Sequence, residues 1–193
     1  MFAGDFASDM VANGARNDAI KLRHALDQAN ATIDEMNLAN AANLGVRYAL
    51  ANQLAIVDPE NPLLNDVSLV ERLKAAAESA FKIAGQHFDA ARDVGRSFKI
   101  PGRERASSPK QLVQPPKLLK DDPEQLKDAY AGVIALRDAI AAQLMRLDPD
   151  NPLLKDILLL DRVRKCGIAA YRINGENFDS AREAGRTFQI PGR

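Results

Sequence analysis

Between Asn17 and Val57 the apolar positions advance by four and three residues: Leu22, Leu26, Ala29, Ile33 and Met36, then Leu50, Leu54 and Val57. Asn40, Asn43 and Arg47 hold the same steps in the interval. A seven-residue repeat of this kind predicts one long helix carrying a coiled-coil seam. The lack of proline and the single glycine, Gly45, agree with it. Asparagines within a seam set register and strand number at a cost in stability. Leu22, Leu26, Ile33, Met36, Asn40 and Asn43 are therefore the expected oligomer interface. The other use of such a face is packing within its own subunit, and Asp27, Asp34 and Glu35 on the opposite side suit both. Upstream, Phe2, Phe6 and Met10 recur at helical spacing and suit a short docking helix or a frayed end.

The helical pattern stops at Asp58, because Pro59 disfavours helical geometry in the residue before it. Asn61 then stands as a helix cap and Pro62 in a first turn. From Leu63 an apolar face runs through Val70, Leu73, Ala77, Phe81, Phe88 and Ala91, which predicts a second helix from Pro62 to Arg96. A connection this short between two long helices predicts an antiparallel hairpin.

The stretch from Asp58 to Arg103 then returns without a gap ninety positions later, from Asp148 to Arg193, with about half of its positions identical. Gly85 and Gly175 recur in mid-helix, where a glycine costs on the order of 1 kcal/mol, and predict a close crossing or a bend. Gly95 and Gly185 are placed to end the helix. Each copy closes on Phe-x-Ile-Pro-Gly-Arg, an extended tail. Between the copies, Ser107-Ser108-Pro109 and Pro115-Pro116 mark a linker. Asp122-Pro123-Glu124-Gln125 opens a further helix that reaches Leu147.

The expected architecture is all-α: two tandem-repeated long helical hairpins with an N-terminal coiled-coil-like extension. Its parts are an arm over 1–45, a first repeat over 46–103, a basic proline-containing linker over 104–122 and a second repeat over 123–193.

Charge sharpens this picture without redirecting it. Lys plus Arg equals Asp plus Glu at 26 each, so the chain has no general attraction for nucleic acid or an anionic membrane. The balance is uneven locally: residues 1–60 carry four basic side chains against eight acidic, and 99–120 carry six basic against Glu104 alone. No apolar run reaches the length of a membrane span, and the first residues lack the basic-then-apolar pattern of a cleaved signal. The lone Cys166 excludes an intramolecular disulfide framework; with Ala76 as its counterpart, it is expected to fill the core.

Candidate chemistry is sparse. Asp148-x-Asp150-Asn151 lacks the glycine and the glutamate of a calcium loop, and capping explains it. His24 and His87 are isolated, and the counterpart of His87 is Asn177. No phosphate-cradling loop and no nucleophile beside a base is present, so neither a cofactor nor a catalytic residue is assigned.

A non-enzymatic structural or assembly subunit is therefore expected, homo-oligomeric as a trimer or larger ring. It would serve a large particle such as a bacteriophage virion or its tail, or a cytoplasmic assembly. The tails would dock on neighbours through Phe98, Ile100, Phe188 and Ile190, with Arg103 and Arg193 at the rim. The alternative is a nucleic-acid-binding or packaging protein that uses Arg92, Arg96, Arg103, Arg105 and their copies. Asp89 and Asp179, three residues before Arg92 and Arg182, weigh against it.

Overall fold

The computed structural model describes residues 3–85, 88–100, 123–175 and 178–192, with side chains from Arg16 onward. Among the described residues there are eight helices and no strand: α1 (Ala3–Val57), α2 (Pro62–Asn65), α3 (Val67–Ala84), α4 (Phe88–Ser97), α5 (Pro123–Leu147), α6 (Pro152–Lys155), α7 (Ile157–Ile173) and α8 (Phe178–Thr187). None of them is long and apolar enough to cross a membrane. The chain divides into two units, Met1–Glu35 and Met36–Arg193. The first contributes only the N-terminal part of α1, where Arg16 to Thr32 are exposed on every side. The second is compact, and in it Asn40 to Ala51 of the same helix are buried on every side.

The tight turn after α1 follows from its sequence. The Asp58 amide still bonds to the Leu54 carbonyl (2.7 Å), and the Asn61 amide closes the turn on the Asp58 carbonyl (3.1 Å). The Asn61 carboxamide accepts from the Leu63 amide (3.1 Å) and donates to the Asp58 carboxylate (2.9 Å). Asn151 repeats both bonds at the same distances. One side chain thus satisfies an orphan amide of the new helix and ties it to the end of the old one.

The helix that the apolar pattern predicts from Pro62 to Arg96 is in fact three. Asp66 leaves helical geometry (φ −98°, ψ 98°) and its carboxylate accepts from the Leu69 amide (3.0 Å), so it ends α2 and caps α3. Asp156 does the same between α6 and α7. An aspartate offers the backbone this alternative partner at little cost, and the chain turns there. At Gly85 and Gly175 the backbone enters the left-handed region (φ 73° and 64°) and the chain turns again. These glycines bend the chain, and among the described residues nothing stands within 4 Å of where a β-carbon would sit, so they serve no close crossing there.

Close crossing falls to the other glycine pair. Gly95 and Gly185 lie inside α4 and α8 and do not end them. A β-carbon on Gly95 would overlap the backbone of Ala135 in α5, and one on Gly185 would overlap that of Gly45 in α1. Gly45 and Ala135 are themselves ninety residues apart, so the two contacts are equivalent. Gly167 in α7 adds to the second, with a β-carbon position 2.7 Å from the Ala41 carbonyl oxygen.

The helices consequently pair across the repeats. The pattern predicts that each long helix folds back on the helix following its turn, but α5 packs along α3 and α4. The compact part of α1 meets α7 and α8. The extra turns at Asp66 and Asp156 redirect the chain after each tight connection. Leu50, Leu54, Leu63, Leu69, Val70 and Leu73 share one core with Ala135, Leu136, Ile140, Leu144, Leu153 and Val163. Cys166 is exposed, on the outer side of α7, and does not fill the core.

Candidate functional site

The residues expected to form an oligomer seam fall into two groups. Leu22 and Leu26 are 71% and 60% exposed, beside Ile20 at 62%, while Ile33 and Met36 are half-buried. Asn40 and Asn43, in contrast, are buried by the chain itself. Asn43 donates to the Tyr130 hydroxyl (2.9 Å) and the Ala39 carbonyl (2.8 Å), and accepts from Arg137. Burial, the main influence, raises the Tyr130 pKa, so its hydroxyl stays protonated. Asn43 therefore joins α1 to α5 inside one molecule, while the Asn40 carboxamide is buried and makes no hydrogen bond among the described residues.

The tails are also occupied. Phe98, Ile100 and Phe188 pack half-buried against the core, and Ile190 is buried within it. Arg103 and Arg193 lie outside the described residues, as does the side chain of Phe6. Two of the helix-borne arginines pair with carboxylates one turn before them, Arg92 with Asp89, and Arg182 with Asp179 at 3.0 Å.

Beside each buried glycine contact lies a junction in which the two repeats differ. In the junction of α1 with α8, the Arg47 guanidinium is 3% exposed and stands 4.2 Å from the centre of the Tyr48 ring, with Arg186 at 5.6 Å. Burial lowers the Arg47 pKa, opposed by Tyr48 and reinforced by Arg182 and Arg186. Asn52 donates to the carbonyls of Gly185 (3.3 Å) and Arg186 and closes the seam.

In the junction of α5 with α4, Asp138 replaces the tyrosine and Ala142 the asparagine. Arg137 pairs with Asp138 Oδ1 (2.8 Å), and Arg96 Nε stands 4.0 Å from Oδ2. Oδ2 is buried and accepts no hydrogen bond among the described residues. A half-open cleft of about 440 Å³ results, with Arg137 and Asp138 on one side, apolar walls from Leu50, Ala141, Met145 and Leu154, and Arg96 and Arg164 also lining it.

Sequence reasoning missed this cleft because the residue-by-residue match is drawn only from Asp58 to Arg103, although the first repeat is placed from 46. The correspondence extends upstream through Gln53 and Gln143 and Leu54 and Leu144 to Arg47 and Arg137, and that longer match brings Tyr48 opposite Asp138. Neither a family model, nor a curated protein, nor a solved structure matches this chain.

Proposed function

We propose that the chain is a non-enzymatic assembly subunit that associates with copies of itself through the exposed part of α1. The observation that supports this is the exposure of Leu22 and Leu26 at coiled-coil spacing, on a stretch of helix where every residue from Arg16 to Thr32 faces solvent. A helix held in water on all sides gains little from its own chain, because most helical stability in proteins comes from packing one apolar face. A second copy supplies the same stripe in return. Burial of a leucine side chain contributes about 1.5–3 kcal/mol, so a few layers per chain suffice to hold an oligomer at working concentrations. The pairing of Arg92 and Arg182 with aspartates favours this reading over nucleic-acid binding, since paired guanidinium groups have less charge to offer phosphates.

Sedimentation velocity tests the proposal. The full chain is expected to sediment as an oligomer and the double variant Leu22→Ser/Leu26→Ser as a monomer. Thermal unfolding of the compact unit is expected to be the same in both. A wild-type chain that stays monomeric at high concentration overturns the proposal.

A further inference from the structure

The two junctions give the molecule an internal reference, since the same backbone contact is finished in two ways. Where α1 meets α8, an aromatic ring lies by two arginines, Arg47 and Arg186. Where α5 meets α4, the equivalent arginines, Arg137 and Arg96, are both kept. The ring between them is gone, and a cleft opens beside Arg137 and Asp138.

The surroundings change in the same sense. Leu64, Val70 and Lys74 are buried, whereas their counterparts Leu154, Leu160 and Arg164 line the cleft and are only half-buried. Asp138 is too small to occupy the volume of a tyrosine. Its carboxylate is unevenly used, with Oδ1 engaged by Arg137 and Oδ2 buried without a hydrogen bond among the described residues, the Arg96 Nε lying 4.0 Å away. A buried acceptor without a donor costs free energy that a bound hydroxyl or N–H recovers. Guanidinium groups favour the face of an aromatic ring, more so when water is excluded. The cleft also lies within the size range of small-molecule sites, with apolar walls and a few convergent polar groups.

We propose that this cleft binds a small aromatic molecule carrying a hydrogen-bond donor, with its ring against Arg137 and Arg96 and its donor on Asp138 Oδ2. The ligand restores at the open junction what Tyr48 supplies at the filled one. The proposal stands apart from self-association, because every group it uses belongs to the compact unit.

The side-chain analogue of tyrosine, 4-methylphenol, is the direct probe, and its methyl ether, 4-methylanisole, keeps the ring but removes the donor. In a heteronuclear NMR titration of the full chain, the phenol is expected to give saturable shifts confined to amides around Leu50, Arg137, Ala141, Met145 and Leu154. The ether is expected to bind about tenfold more weakly or worse, the loss of one hydrogen bond to a charged acceptor. Asp138→Tyr fills the cleft from within and is expected to abolish binding. Ala142→Asn copies the seam-closing Asn52 and weakens binding without touching the carboxylate, which decides the matter should the tyrosine variant fail to fold. Shifts that do not saturate, shifts centred elsewhere, equal binding of phenol and ether, or indifference to both substitutions would each overturn the proposal.

Discussion

The junction of α1 with α8 and that of α5 with α4 share a glycine pressed against a backbone and two arginines in equivalent places. They part at the next side chains. Tyr48 and Asn52 fill the first, whereas Asp138 and Ala142 leave the second open. The shared glycines set how closely the helices approach, a property of backbone that tolerates almost no substitution. The side chains beside them decide only what fills the remaining space, and there the two repeats have diverged.

Truncating the centre of each junction separates them most. Tyr48→Ala is expected to cost about 4 kcal/mol, the range of a large aromatic removed from a core. Asp138→Ala, at an already open junction, is expected to cost about 2 kcal/mol, because Arg137 loses its carboxylate partner and keeps only Asn43. Urea unfolding measures both, and equal costs would show that the junctions are finished alike. Next come the glycines, for which the comparison predicts sameness. Gly95→Ala and Gly185→Ala are each expected to cost about 3 kcal/mol, since the added methyl meets backbone that has nowhere to move. Thermal melts that tolerate one and not the other would break the equivalence of the two contacts. The smallest effect lies at the caps. Asp66→Ala and Asp156→Ala should each lower stability by about 1 kcal/mol, and the double variant should show the sum, as expected of distant sites.

Much of this design was legible in the chain, and the limits have physical causes. Asn61, Pro62 and the turn before them were readable because a cap acts on its own neighbours. Asp66 acts equally locally but sits inside an apolar pattern that continues across it, so the kink is hidden by the periodicity on either side. Gly85 and Gly95 show why a residue type underdetermines its use. One needs a positive φ and the other the absence of a β-carbon, and only the packed structure says which. Periodicity likewise reveals that a helix has a face to bury without naming the partner, so the exchange between repeats was not readable. The seam illustrates the same gap. Leu22 and Asn43 share a stripe, but in the compact unit α5, α7 and α8 are present around that helix. The cleft was hidden most deeply, because it exists only where Asp138 is compared with the residue in Tyr48's position.

The exchange of partners between repeats has a further effect on how the molecule forms. The bond from Asn52 to the Gly185 carbonyl joins residues 133 apart in sequence, and that from Arg137 to Asn43 spans 94. The long loop between Asn52 and Gly185 must close before α1 gains α8, whereas α5 packs along the preceding α3 and α4; the long closure slows folding relative to a bundle built only from adjacent helices. A ribosome releasing this polypeptide would leave the face of α1 that meets α8 uncovered until that helix had emerged.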